Sequence, residues 1–343
     1  MDDHFNTLEE LYEKEWYVNI YHPLLVKHYP HQVEDASHWY VYNILSDHGP
    51  LDTLSAALDR YPVGWFDWNL LSRNPNISLA FVLSHLGDTD KWRWYSLTAN
   101  RSITLDDIGQ HPELPWDWWF MVSANTYLTM AFVLKHRYQD WSRVGVSKHP
   151  NITMDDIDQH PDFPWDWNCG VSQNPNLTID FVLKHRDNDW NWYAVSAHPH
   201  IAMANIDHHP ELPWDWLHGV SNNSHLTIEF VLKHVDKNWD WYAVSKHPNI
   251  FMDDIDQHPE LPWSWRRGVG NKPNLTIDFV MKHLDKDWNW SCISIHTNIT
   301  MADIDQHPDS PWDWNYGVSN NPNLTIDFVM KHLHRDWNWG SVS

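Results

Sequence analysis

The apolar positions of this chain repeat. Tryptophans that open a Trp-x-Trp or related step stand at Trp92, Trp116, Trp141, Trp165, Trp190, Trp214, Trp239 and on to Trp337, spaced alternately by 24 and 25 residues. The true period is therefore 49, made of two similar but unequal halves, and a period of this size overrides any domain count taken from length. One half, A, is typified by NITMDDIDQHPDFPWDWNCGVS at 151–172, and the other, B, by NLTIDFVLKHRDNDWNWYAVS at 176–196.

Both halves carry the same local signals. Asn-Pro-Asn or His-Pro-Asn makes a turn, because Pro fixes φ and Asn tolerates turn conformations; Asn176 is such a turn residue. An apolar residue and then Thr follow. In the B half Thr178 caps a helix, with Leu177 stapled onto Val182, and in the A half Thr153 forms a capping box with Asp156. The first helix runs about eight to ten residues to a Lys-His or Gln-His-Pro ending. The second is expected to begin at the Trp, which puts Trp190 and Ala194 on one face.

Helices this short are unstable alone, because nucleation is costly. Stacking must supply the stability, and Trp165, Trp190, Trp214 and Trp239 are read as structural residues buried in it. The fold class that follows is all-α: an α-solenoid of short helix-turn-helix half-repeats of about 24.5 residues. Residues 51–343 give about twelve half-units, the first two degenerate. Residues 1–50 lack the Trp pair and the Asn-Pro turn and read as an N-terminal helical cap.

Composition sharpens this picture. Twenty-six Trp in 343 residues are too many large side chains to keep unless most bury area. A formal charge of −23 repels phosphate backbones and anionic bilayers, which argues against nucleic acid and membrane partners. The first residues, MDDHFNTLEELYEKEW, are acidic and lack an apolar core, so no secretory signal is expected and the chain reads as cytoplasmic. Cys169 and Cys292 lie five half-repeats apart and are expected to stay reduced.

The combination of Asn-Pro-Asn-[Ile/Leu]-Thr with Pro-Trp-Asp-Trp, clearest at Asn174–Thr178, Asn321–Thr325, Pro164–Trp167 and Pro311–Trp314, resembles tandem repeats encoded by large nucleocytoplasmic DNA viruses of the mimivirus-like, amoeba-infecting kind. The resemblance covers about residues 70–343. It implies a viral protein in a virion or host cytoplasm, but the family brings no established activity. Phe251 and Ala202 depart from it where Thr would cap, and Lys272 and Ser224 where the Asn-Pro turn would stand.

Candidate chemistry is sparse. Histidines recur with the period, among them His136, His185 and His234 and, in the other half, His160 and His209, and are read as helix C-caps. If these dominate, the fold survives to about pH 5, since a charged C-cap gains from the helix dipole. His198, His200, His208 and His209 crowd two turns and are the one zinc-site candidate; otherwise no metal, cofactor or catalytic constellation is expected. B helices carry apolar residues on a wider arc than A helices. Phe181, Phe230, Phe279 and Phe328 mark that stripe as core or as a self-association or partner face. Arg266, Arg267 and Lys272 form a basic island suited to an acidic partner. The reading that follows is a non-enzymatic scaffold for protein partners, with a zinc-dependent enzyme and a self-associating structural protein as alternatives.

Overall fold

The computed structural model describes residues 46–48, 51–60, 63–86 and 91–342; apart from Ser46–His48, the expected cap over 1–50 lies outside the described residues. Among them every regular element is helical and none is a strand. No described helix is long and apolar enough to cross a membrane. The chain divides into two compact units, Met1–Trp165 and Asp166–Ser343, each a stack of half-repeats in the manner of an α-solenoid.

In the second unit, the B half opens with the helix Ile179–Lys184 and continues with Trp192–Ser196; the next A half opens with Met203–His208. The same order recurs through Ile228–Lys233, Trp241–Lys246, Met252–Gln257, Ile277–Lys282, Trp290–Ile295, Met301–Gln306, Ile326–Lys331 and Trp339–Val342. The first unit has Leu51–Arg60, Trp68–Arg73, Leu79–Ser84, Trp94–Thr98, Leu105–Gln110, Met130–Lys135, Arg143–Ser147 and Met154–Gln159.

Capping starts these helices as the Thr pattern requires. The Thr153 hydroxyl accepts from Asp156 N at 3.1 Å while the Asp156 carboxylate accepts from Thr153 N at 2.8 Å. Thr178 accepts from Phe181 N at 3.3 Å. Where Phe251 and Ala202 replace Thr, the reverse arm remains, Asp254 and Asn205 accepting from the backbone N–H of Phe251 and Ala202 at 2.6 and 2.8 Å.

Two expectations are corrected. The first helices are six residues long, as at Ile179–Lys184. The second helix does not begin at the first Trp of the pair. Trp190 lies before the N-cap Asn191, and the helix opens at Trp192. In A halves the second element is a turn closed by bonds to the fifth residue back, Val171 N to Asp166 O at 2.7 Å, leading into the 3₁₀ turn Val171–Gln173. The reason is the indole N–H. Trp190 Nε1 donates to the His185 carbonyl at 2.9 Å, satisfying an orphan acceptor at the end of the preceding helix, and this pins the ring in the layer rather than on a helix.

Trp190, Trp214 and Trp239 are buried and Trp165 half-buried. Each second Trp meets the first Trp of the following half edge-to-face: Trp167 on Trp190 at 5.3 Å, Trp192 on Trp214 at 5.5 Å, Trp216 on Trp239 at 5.4 Å. The quadrupoles of the rings favour this geometry.

Two polar ladders join the layers. In these halves a fully buried Ser accepts the backbone amide of the residue after the first Trp of the next: Asn191 N to Ser172, Asp215 N to Ser196 and Asp240 N to Ser221, at 2.9, 3.0 and 3.0 Å. Ser172 in turn donates to Trp167 O at 2.6 Å. The second ladder is made by the first residue of each turn. His198 Nε2 bonds Asn174 O at 3.1 Å, Asn223 Nδ2 bonds Ser196 O and Ile201 O at 2.8 and 2.9 Å, and His247 Nε2 bonds Asn223 O at 3.0 Å. Buried polar atoms are thereby paired between layers as well as within them.

Close approach also needs glycine. A Cβ on Gly219 would lie 2.5 Å from Ser196 Cβ, and one on Gly268 equally close to Ser245 Cβ.

Candidate functional site

Several sequence-derived candidates belong to the scaffold. Lys272 is a correction: it is 5% exposed and donates to His247 O and Ile250 O at 3.0 and 2.6 Å. It occupies the turn position of Asn223 and does the same bridging work, so it cannot meet an acidic partner. Burial pushes its pKa down to about 8 against the opposing pull of Asp254. Arg266 and Arg267 are exposed, Arg266 lying 3.9 Å from Asp287.

The Phe stripe resolves to the first of its two readings, core, and the partner face assigned to these four Phe is corrected. Phe181, Phe230 and Phe328 are buried and Phe279 half-buried. Each stacks on the second Trp of the preceding half, Trp167, Trp216, Trp314 and Trp265, with centroids 6.0–6.2 Å apart. The wider apolar arc of the B helices is core. Its apolar neighbours open to solvent at Ile326, Met330 and Leu333.

The zinc candidates do not converge, and among the described residues no three His, Cys, Asp or Glu groups do. His198 has both ring nitrogens engaged, Nε2 with Asn174 O and Nδ1 with the backbone N–H of His200. His208 is exposed, and His209 Nδ1 faces Glu211 at 3.3 Å. The periodic His do stand at C-cap positions. A separate set, His149, His198, His247 and His296, lies in the turns, which the sequence had shown only as His-Pro or His-Thr steps. Burial lowers the pKa of the first three, with His200 and Lys272 adding repulsion at His198 and His247.

What does vary from repeat to repeat is the pair after the second A-half Trp: Trp119-Phe120, Asn168-Cys169, Leu217-His218, Arg266-Arg267 and Asn315-Tyr316. The second member is exposed every time. The basic island and the aromatic pair are thus one register position, differently filled.

The aromatic copy lies in the first unit and is the more developed surface. Trp119, Phe120, Tyr127 and Tyr138 are 56, 60, 80 and 91% exposed. Tyr95 stacks on Phe120 with centroids 6.5 Å apart. Met121 follows where Gly219 and Gly268 stand two and three repeats later, and Trp118–Val122 keeps the bonds to the fifth residue back that close the other A halves, Val122 N to Asp117 O at 2.9 Å. A side chain cannot follow the glycine path past the facing residue, here Thr98. Thr98 and Met121 both line a groove of about 980 Å³ with Asn100, Arg101, Tyr127 and Phe132. A second groove, of about 760 Å³, lies among Trp119, Arg137, Tyr138, Arg143 and Phe163.

Charge sets this stretch apart. Residues 91–148 hold seven Lys+Arg against five Asp+Glu, net +2, while the rest of the chain holds 16 against 41, net −25. Arg93, Arg101, Arg137 and Arg143 are exposed. Among the described residues none of the four sits in an ion pair; Arg137 lies 5.1 Å over the Tyr138 ring. Tyr, Trp and Arg are the residue types that carry binding energy in protein interfaces. Both are departures from the repeat, but Arg266-Arg267 stands out by charge, whereas Trp119-Phe120-Met121 differs from Asn168-Cys169-Gly170 without any change of charge. No family model, no curated protein and no solved structure matches this chain.

Proposed function

We propose that the chain is a non-enzymatic scaffold that binds protein, and that it reads its partner with the outward pair after the second Trp of each A half, most strongly over residues 91–148. The observation that carries this is the replacement of Asn-Cys-Gly (168–170) by Trp119-Phe120-Met121 at one register position, which turns a plain corner into exposed aromatics beside arginines that have no ion pair among the described residues. Such a surface costs solubility and, apart from the Tyr95–Phe120 contact, touches little of the stack, so binding accounts for it. The viral resemblance supports a partner that is a virion or factory component, or a host protein met in the cytoplasm.

The test replaces Trp119, Phe120 and Met121 together by Asn, Cys and Gly, the residues the repeat itself uses. Quantitative mass spectrometry of purified particles and of cross-linked complexes from infected cells is then compared for the two proteins. A partner that is lost with the triple variant while helicity and melting are kept is the expected result. If every co-purifying protein is retained, the reading fails.

A further inference from the structure

We propose that this face receives an acidic segment of its partner, one carboxylate of which bridges Lys135 and His136 as an aspartate does in later repeats, where Gly109 has no side chain to do so; the proposal rests on the protein-binding reading above.

The second unit shows what belongs there. Asp207 bridges Lys233 Nζ at 2.7 Å and His234 Nε2 at 2.6 Å. Asp256 bridges Lys282 and His283 at 2.6 and 2.8 Å, and Asp305 bridges Lys331 and His332 at 2.7 and 2.7 Å. One carboxylate holds a Lys and a His of the next half in each copy. Gly109 stands two, three and four periods before these aspartates, and Lys135 and His136 stand at the matching cation positions.

With the carboxylate gone, His136 Nε2 is a buried polar atom with no hydrogen-bond partner, in a residue only 8% exposed. Native structures rarely leave such an atom unpaired, because its desolvation is uncompensated. Lys135 is exposed and has no ion pair among the described residues. The atom points at the glycine: a Cβ built there would lie 3.2 Å from Nε2 and 2.9 Å from Phe132 Cε2. The two rings have settled onto the glycine and must give by a few tenths of an ångström to admit an oxygen. They can do so from the solvent side, since in the second unit the Asp207 carboxylate at this position stays a quarter exposed.

The seat adjoins the groove. Phe132 stacks on His136 at 4.6 Å and lines the groove floor beside Tyr127 and Arg101. A segment lying there meets aromatic walls and Arg101, with Asp106 the one acidic lining residue, and brings a side chain within reach of Lys135. A charge-assisted pair to both groups would be the strong, orienting contact, and the net +2 of the stretch favours an acidic over a basic segment.

The probe is a fluorescein-labelled decaglutamate peptide, followed by anisotropy at low salt, with decaglutamine and the oligonucleotide (dT)10 as controls. The wild type is expected to bind decaglutamate and not decaglutamine. Gly109→Asp, which supplies the carboxylate in cis, and Lys135→Gln, on an exposed side chain, should each weaken it by roughly tenfold, about the worth of one charge-assisted bond. Gly109→Asp should melt no lower than wild type. The proposal is overturned if decaglutamate does not bind, if both variants bind it as wild type does, or if (dT)10 is what binds and what the variants lose. Should the triple variant at 119–121 lose the native partner while Gly109→Asp and Lys135→Gln keep decaglutamate binding, the face stands and the carboxylate seat falls. Loss of decaglutamate in both single variants, with every native partner retained by the triple variant, leaves the seat standing without the face.

Discussion

The stretch 91–148 of the first unit and the repeats of the second unit use one template to different ends. In the second unit the corner after Trp216 closes on Gly219, Asp207 ties Lys233 to His234, and the exposed pair Asn315-Tyr316 has Ser291 at the position from which Tyr95 stacks on Phe120. In the first, Met121 fills the corner position that glycine holds elsewhere, Gly109 releases Lys135 and His136, and Arg101, Arg137 and Arg143 line grooves with exposed rings, without an ion pair among the described residues. Two glycine exchanges in opposite senses, one lost and one gained, separate a closed layer from a receptive one. A repeat array can thus place a binding surface by subtracting its own cross-layer bonds locally, because each layer is stabilised mainly by its neighbours.

The largest expected effect tests which tryptophans belong to the stack. Trp190→Ala should cost about 3–5 kcal/mol, by opening a cavity between edge-to-face rings. Trp119→Asn should change stability by no more than about 0.5 kcal/mol, as for an ordinary surface position. Urea unfolding of both variants measures the contrast, and equal losses would erase the distinction between the two kinds of Trp.

Next, Asp256→Ala should turn a closed layer into an open one. His283, 7% exposed, would lose the Asp256 contact and become the analogue of His136. The expected cost is about 1–3 kcal/mol for an orphaned buried nitrogen, read by the same unfolding experiment. A neutral result would mean the bridge does not hold the layers.

A third test uses pH. His149, His198 and His247 have folded pKa values held below the ordinary one, chiefly by burial. Such groups contribute full stability above the unfolded value of about 6.5 and lose it as pH falls through the folded one. Lys282 and His283 hold Asp256 below the usual carboxylate range, so its bridge is lost only as pH falls below the unfolded value of that group. Melting temperature should therefore decline between pH 7 and 5, earlier than capping histidines alone would give. His198→Asn, which copies Asn100, a residue that bonds Ser72 O and Asn74 O from the same register, should flatten the decline. Melting that is flat from pH 8 to 5 in the wild type would count against the neutral ladder.

The smallest effect is a gain. Gly270 replaces the ladder serine, and its Cβ position is 3.1 Å from Trp265 O, the equivalent of the Trp167 carbonyl to which the Ser172 hydroxyl donates. Gly270→Ser should stabilise by about 0.5–1 kcal/mol through lower unfolded-state entropy alone, and a restored bond to Asn289 N would add to it. A lower melting temperature would show that this layer is packed differently.

The period, the helical class, the capping threonines and the burial of the first Trp of most pairs were all legible in the residues. These depend on contacts within a few positions, or on a residue type too large and apolar to stand elsewhere, and Thr153 with Asp156 is readable for that reason. Whatever depends on the neighbouring layer emerged only from the packed stack. Lys272 looked like surface charge and is a buried bridge, because its partners, His247 and Ile250, lie more than twenty residues away. His198 looked like a metal ligand and is a ladder rung for the same reason. The Phe stripe read as either core or a partner face until Trp167 and its equivalents were seen to cover it. Gly109 carries no chemistry at all, and its meaning appeared only when three other layers showed the carboxylate that it lacks. A side chain's role in a stacked repeat is fixed by the layer it faces, which lies one half-period away in sequence and in direct contact in space.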